Sequence, residues 1–138
     1  RGAKSCGVAR QYTGTAGRVE NSQVGVFLAY ASPRGRALVD RELYLPKEWA
    51  ADATRRKRAG VPKPVAFATK LALARKMVAR AVAAGLPAKW VTADAVYGSD
   101  HHFRAALEGL GIGYVLGVRS DFAAWAGSRQ VRAKALAA

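Results

Sequence analysis

A switch in hydrophobic periodicity along the chain constrains the fold more than any other feature. Residues 22–31 form a nearly continuous apolar run of β-prone side chains, whereas residues 36–45 alternate between apolar and polar. The residues between them, Ser-Pro-Arg-Gly at 32–35, have the composition of a tight turn. From Thr69 onward the apolar spacing becomes helical. The sequence therefore predicts an antiparallel hairpin followed by a helix.

The second half of the chain predicts a strand, a helix and a second strand. Thr69 is a suitable N-cap for the first helix, and Gly85 is a suitable C′ residue, just beyond its C-terminal end. Residues 90–94 then form a short apolar strand, which we expect to be buried and opened by a core tryptophan, Trp90. A helix capped by Ser99 or Asp100 and a strand over residues 114–119 complete a parallel unit. The fold class is therefore α/β, a mixed sheet with helices on its faces.

Three segments carry weaker signals. Residues 7–21 are rich in Gly, Thr and Arg and are predicted to be a loop or irregular arm. Residues 54–64 are polar, with Gly and Pro, and are predicted to be a solvated loop. The tail from residue 123 loses periodicity, and a frayed helix, a linker and the remainder of a longer element all stay open as interpretations.

Composition excludes several classes of protein. The 138 residues suit one domain or part of one, and the 51% hydrophobic content argues against a disordered basic tail. The single cysteine, Cys6, excludes a disulfide scaffold and a Cys-rich zinc module. No apolar run approaches the roughly 20 residues that a membrane span requires, so we expect no membrane association and a cytoplasmic location.

The charge is strongly positive and unevenly placed. Lys and Arg number 23 against 9 Asp and Glu, a formal net charge of +14, and no acid lies between Asp52 and Asp94. A polyanionic partner is expected for such a chain, and nucleic acid is the commonest. The alternative is a composition set by an arginine-favouring genome. Tyr12, in the arginine-containing arm, is a candidate for stacking on a base.

Asp94 is the acid best placed for chemistry. It ends the strand predicted at residues 90–94, and ligands in open α/β sheets bind beyond the carboxyl ends of strands. Carboxylate oxygen suits Mg²⁺, and metal beside phosphate suggests phosphoryl transfer. The alternative is that Asp94 only caps a turn or the following helix.

The other titratable residues are weaker candidates. Asp40 and Glu42 fall within the second strand and are expected to form cross-strand ion pairs. Asp121 follows a strand end, but a surface turn explains it better. The adjacent His101 and His102 lack the spacing of a zinc helix and are predicted to point to different sides of the helix as a surface pair.

Two blocks of sequence resemble the insertion-sequence transposases of the DDE superfamily. The first is GVARQYTGTAGRVENSQVGVFLAYASPRGRALVDRELYLPKEW, residues 7–49; the second is WVTADAVYG, residues 90–98, followed by a helix and GIGYVLGVR. The resemblance covers roughly residues 2–120. It implies a ribonuclease H-like core whose two Asp and one Glu bind two Mg²⁺ ions. These ions would activate water or a DNA 3′-hydroxyl for in-line attack on a phosphodiester.

Within that resemblance Asp94 matches the second acid of the triad, as both catalytic residue and metal ligand. No residue here matches the first Asp or the final Glu. We therefore expect an incomplete ribonuclease H-like domain over residues 1–122, without its first strand and final catalytic helix, and an irregular or helical basic tail over residues 123–138. The chain is expected to be an internal transposase fragment, inactive alone.

The expected partner is double-stranded DNA, at insertion-sequence ends and target, within the bacterial nucleoid; a homodimer is left open. The rival hypotheses are a non-catalytic basic DNA-binding protein and a product that does not fold. The candidate phosphate contacts are basic side chains of the N-terminal segment and the first helix: Lys4, Arg10, Arg18, Lys70, Arg75, Lys76 and Arg80.

Overall fold

The computed structural model describes residues 2–137. The chain divides into two compact units, Arg1–Ala81 and Val82–Ala138. No helix among the described residues is both long and apolar enough to cross a lipid bilayer.

The elements of the first unit are β1 Ala9–Thr13, β2 Arg18–Ser22, β3 Gly25–Ser32, β4 Gly35–Leu43, α1 Lys47–Ala51, α2 Ala53–Arg58 and α3 Lys70–Ala83, which runs two residues past the boundary. The elements of the second unit are β5 Trp90–Ala93, α4 Ala95–Gly98, α5 His101–Gly109, β6 Gly113–Leu116, β7 Ala123–Ala126, β8 Arg129–Arg132 and a 3₁₀ turn, Ala133–Ala135.

The hairpin predicted from residues 22–45 is confirmed. Strands β3 and β4 pair antiparallel, with Ser32 opposite Gly35 across the two-residue turn. Leu28 pairs with Asp40, but the next residue, Ala29, pairs with Leu38, so a bulge falls at Val39. Gly35 has φ 142°, a backbone angle that side-chain-bearing residues rarely adopt.

The predicted helix after Thr69 is also confirmed. The hydroxyl of Thr69 accepts a hydrogen bond from the Ala72 amide at 3.1 Å, as an N-cap does. Gly85 follows the helix at φ 72°. The buried face consists of Leu73, Ala74, Met77 and Val78. The apolar spacing in the sequence predicts a stripe of Leu71, Ala74, Val78, Ala81 and Val82. The observed face is rotated from it toward Leu73 and Met77.

The prediction of an irregular arm over residues 7–21 is wrong. Strands β1 and β2 form a regular antiparallel hairpin, from Ala9 opposite Ser22 to Thr13 opposite Arg18. Gly17, at φ 65°, closes the turn by donating its amide to the Thr13 carbonyl at 3.0 Å. These strands are short and mostly polar, so they carry no apolar alternation that sequence reasoning could detect.

The predicted solvated loop over residues 54–64 is also corrected, because its first half is helix α2. Asp52 caps this helix by accepting the Arg55 amide. The Arg56 guanidinium donates to four backbone carbonyls, those of Ala50, Pro62, Lys63 and Val65. Arg56 therefore holds the following loop in place and is not a free surface charge.

A small core holds the base of the first hairpin. Val8, Leu45 and Trp49 are buried together, and the Trp49 ring N–H donates to the Val8 carbonyl at 2.7 Å. The Arg55 guanidinium lies 3.7 Å from the centre of the Trp49 ring. The Trp49 side chain is 1% exposed.

The parallel unit of the second half is confirmed. Strands β5 and β6 pair parallel, from Trp90 opposite Gly113 to Ala93 opposite Leu116. The connecting helix α5 is capped by Asp100, which accepts the Phe103 amide at 2.6 Å. Phe103 and Leu107 of this helix are both buried.

Two expectations for the second half are overturned. The β5 strand is not buried, since Trp90 is 64% exposed and lies against its cross-strand neighbour Gly113. The tail, predicted to be irregular or helical, forms the β7–β8 hairpin and a short 3₁₀ turn. Trp125 of that hairpin is 70% exposed. Burial of a tryptophan depends on what covers it, which its own sequence neighbourhood does not specify.

The strands do not form the single mixed sheet that the sequence predicted. Among the described residues they form four two-stranded sheets, β1–β2, β3–β4, β5–β6 and β7–β8. The architecture is therefore mixed α/β in small strand pairs with five α-helices in the described part of the chain.

Candidate metal and DNA site

The Asp94 carboxylate lies at the carboxyl end of strand β5, as predicted. The residue is exposed and has extended backbone geometry, at φ −76° and ψ −178°. Its Oδ1 atom accepts the Val96 amide at 2.9 Å, and its carbonyl accepts the amides of Tyr97 and Gly98. Asp94 therefore caps the following helix, α4. Within residues 2–137 no group donates to its other oxygen, Oδ2, which leaves that atom available to a ligand.

Two glycines determine how closely the turn after Asp94 packs onto strand β6. A Cβ atom at Gly98 would overlap the carbonyl oxygen of Gly117 and lie 2.8 Å from Leu116 Cβ. A Cβ at Gly117 would lie 3.3 Å from the carbonyl carbon of Asp94. The Gly117 amide also donates to the Ala93 carbonyl at 2.9 Å. The backbone that carries Asp94 therefore packs tightly against the end of β6, through a contact that only glycine permits at Gly98 and a close one at Gly117.

Tyr97 lies within the turn after Asp94, and Arg104 contacts the end of that turn. The Tyr97 ring packs 5.5 Å from the Phe103 ring, centre to centre. Burial raises the pKa of Tyr97, and the nearby charge of Asp94 raises it further, so the phenol stays neutral beside the carboxylate. Arg104 donates to the Gly98 carbonyl at 2.6 Å and lies over the Phe122 ring. Arg104 thus ties α5 to the end of α4.

The remaining acids are engaged elsewhere. Asp40 and Glu42, expected to pair across strands, both bind Arg80 of α3, at 2.8 and 2.7 Å. Asp121 pairs with Arg119 at 3.2 Å and is largely exposed, in agreement with the surface-turn interpretation.

The prediction that His101 and His102 point to different sides of the helix is wrong, because their rings lie 3.8 Å apart, centre to centre. Both histidines are exposed, as expected for a surface pair.

The fit of this site to a divalent cation is partial. The exposed Asp94 carboxylate, with Oδ2 unbonded, is a suitable single ligand for a hard cation. In the described part of the chain, however, no group of three His, Cys, Asp or Glu residues is arranged to hold a metal ion. The described residues therefore supply one ligand and not a complete two-ion site.

The candidate phosphate contacts differ in how free their charges are. Arg18 is paired with Glu20, and Arg80 with Asp40 and Glu42, so their charges are locally compensated. The Lys70 ammonium lies 5.3 Å from the centre of the Tyr44 ring. Among residues 2–137 no acid pairs with the rest of the set, which comprises Lys4, Arg10, Arg75 and Lys76.

Sequence reasoning did not identify the residues that support Asp94. Gly98, Gly117 and Arg104 act through close packing and a backbone hydrogen bond between separate elements. Only the short spacing between Asp94 and Gly98 is visible in sequence.

Comparisons with known proteins identify the family. The model of the family described as DDE superfamily endonuclease matches residues 1–137. Comparisons with curated proteins and with solved structures returned no match. The family match extends over both sequence blocks that resemble transposases and includes Asp94. The chain belongs to the DDE superfamily of endonucleases.

Proposed function

We propose that this chain is part of the catalytic domain of a DDE transposase, in which Asp94 is one of the acids that bind Mg²⁺. The reaction class is metal-dependent cleavage and transfer of DNA strands, with double-stranded DNA as substrate. The proposal includes a ribonuclease H-like core. A homodimer and association with the nucleoid are further parts of the proposal.

The observation that carries the proposal is the position of Asp94. Its carboxylate is exposed at the end of a parallel strand, and its backbone is fixed by Gly98 and Gly117. A carboxylate carried on a fixed backbone needs little reorganisation to bind a metal ion. An ion bound by Asp94 would supply polarisation of the scissile phosphodiester. Asp94 would hold the ion.

We propose further that the chain alone does not cleave DNA. A two-ion site needs more than one carboxylate, and residues 2–137 contain no cluster of three candidate ligands. A single carboxylate is expected to bind Mg²⁺ weakly.

A plasmid-nicking assay tests this part of the proposal. Supercoiled DNA incubated with the purified chain and Mg²⁺ or Mn²⁺ should stay supercoiled, with Asp94→Ala as the matched variant. Nicking by the parent chain that Asp94→Ala abolishes would show that the chain has a complete active site and would overturn the expectation of inactivity.

The second candidate is a non-catalytic basic DNA-binding protein. The net charge of +14 and the lack of a three-ligand cluster within residues 2–137 favour it. It predicts salt-sensitive binding to DNA of any sequence and no binding of divalent ions at Asp94. Divalent-ion binding by the parent chain that is lost in Asp94→Asn would favour the transposase proposal over this second candidate.

A further inference from the structure

The first hairpin, β1–β2, has one face that is exposed along its length. Residues directly opposite each other on paired strands share a face, as do residues two apart on one strand. Arg10 pairs with Asn21 and Tyr12 pairs with Val19, so these four side chains lie on the same face, called here the ribbon face. All four residues are exposed, Tyr12 at 58% and Val19 at 49%.

Charge is sorted between the two faces of this hairpin. Its one acid, Glu20, lies opposite Gln11 and so on the other face, where Arg18 pairs with it at 2.7 Å. The ribbon face therefore carries a guanidinium, a phenol and an amide but no carboxylate. Arg10 has no acidic partner among residues 2–137.

The base of the hairpin is fixed by local hydrogen bonds and by the burial of Val8, the residue before β1, with Leu45 and Trp49. The Gln11 amide donates to the carbonyls of Gly7 and Ser22, at 3.1 and 2.7 Å. The Gln23 amide donates to the Cys6 carbonyl, and Val8 is held in the core with Trp49. A hairpin held by these contacts presents its outer face in one orientation, which lowers the entropic cost of binding.

Among the described residues, no aromatic ring packs on the Tyr12 ring and no cation lies over it. The exposed flat face of the ring is therefore free to contact a base. A base stacks on such a ring regardless of its identity, provided that it is not paired within a duplex. Residues two apart on a strand are separated by about 7 Å. The Arg10 guanidinium can therefore reach a phosphate flanking a base stacked on Tyr12.

We propose that the ribbon face binds single-stranded DNA, with an unpaired base stacked on Tyr12 and an adjacent phosphate bound by Arg10. This inference rests on the proposed function, since it takes DNA to be the substrate. It assigns to the hairpin a role in holding strand ends or unpaired segments, separate from the Asp94 site.

Fluorescence polarisation with the full chain and a labelled 12-nucleotide oligo(dT) tests the inference. Tyr12→Ala and Tyr12→Leu should each weaken binding about 5- to 150-fold, because both remove the ring. Tyr12→Phe should stay within about twofold, because the ring is kept. Arg10→Gln should weaken binding and reduce its dependence on salt. Trp125→Ala, which removes an exposed ring from another hairpin, is the matched control and should bind as the parent does.

The outcomes separate the inference from the proposed function. Parent-like binding by Tyr12→Leu would overturn the stacking role of Tyr12 and leave the Asp94 proposal intact. Tighter binding of oligo(rU) than of oligo(dT) would overturn DNA as the partner of the ribbon face. Binding lost in Asp94→Asn and kept in Tyr12→Ala would also overturn the inference. If the parent binds neither oligo(dT) nor duplex DNA, both the inference and the proposed DNA substrate fail. Circular dichroism of each variant verifies that lost binding does not reflect unfolding.

Discussion

Two glycines at the ends of neighbouring elements determine how the Asp94 carboxylate is held. The α4 turn approaches the end of β6 closely enough that a methyl group on Gly98 would overlap the Gly117 carbonyl. The chain cannot relieve this overlap by rotating a side chain, because the obstructing atom belongs to the backbone. The position of Asp94 and local stability therefore depend on the same contact.

Substitution of Gly98 tests this contact. We expect Gly98→Ala to destabilise the protein by about 1–3 kcal/mol, because the backbone must move to make room. The measurement is urea-induced unfolding followed by circular dichroism. Gly109→Ala is the control: a Cβ at Gly109 meets nothing within 4 Å, so alanine there should be neutral or stabilising by up to about 1 kcal/mol. Equal stability of the two variants would contradict this account.

At the scale of secondary-structure elements, one arginine of helix α3 forms ion pairs with two acids of strand β4. Arg80 binds Asp40 through two nitrogens and Glu42 through a third. The hydrogen bonds from Arg80 lower the pKa of Asp40 below its usual value of 3.8. Because the pKa is lowered in the folded state, this stabilisation is present above pH 3.8 and is lost as pH falls through the lowered value.

Removal of Arg80 should therefore change the acid titration of the protein. In Arg80→Met the pKa of Asp40 should rise toward its usual value, and acid unfolding should become less steep. Carboxyl-detected NMR of Asp40 measures the first effect, and circular dichroism against pH measures the second. Lys76→Met, which removes a charge from the same helix without breaking an ion pair, should leave both unchanged. An Asp40 pKa unaffected by Arg80→Met would exclude the pairing.

Elements with strong periodicity were predictable from sequence, and short polar ones were not. The β3–β4 hairpin, α3 and the β5–α5–β6 unit each have an apolar pattern and a recognisable cap or turn, such as Thr69 and Asp100. Strands β1 and β8 have mostly polar side chains and lack such a pattern. The Asp94 strand end was predictable, but its support by Gly98, Gly117 and Arg104 depends on contacts between elements.

At the scale of the whole molecule, the described strands leave apolar side chains in water. Phe27 and Leu38 of the β3–β4 hairpin are 59% and 71% exposed, and Val115 of β6 is 66% exposed. Two-stranded sheets are marginally stable alone, and their open edges pair with other chains. The single mixed sheet expected from sequence would have covered such surfaces. We therefore expect the purified chain to self-associate.

Leu38→Lys tests the source of that self-association. A charge at this exposed position should reduce aggregation, measured by light scattering and size exclusion, and should change stability by no more than about 0.5 kcal/mol. Leu107→Lys, at a buried position of α5, should instead unfold the protein. Unchanged light scattering in Leu38→Lys would show that another surface drives association.

The net charge of the molecule overstates the charge available to DNA. Arg18, Arg56 and Arg80 are used in contacts within the chain. We expect Lys76→Gln to lower the salt dependence of duplex binding, the slope of log K against log salt, by about 0.9. Arg56→Gln should leave that slope unchanged and lower stability, because its carbonyl partners lose their donor. The reverse pattern would contradict the division between free and structural charges.

Paramagnetic broadening by Mn²⁺ in two-dimensional amide NMR spectra tests the proposed role of Asp94 most directly. In the parent chain, low concentrations of Mn²⁺ should selectively broaden the amides of Val96, Tyr97 and Gly98. Asp94→Asn should abolish this effect, and Asp121→Asn, which removes another exposed carboxylate, should not. Broadening at residues 96–98 that persists in Asp94→Asn, or that appears only around Asp121, would contradict the assignment of Asp94 as a metal ligand.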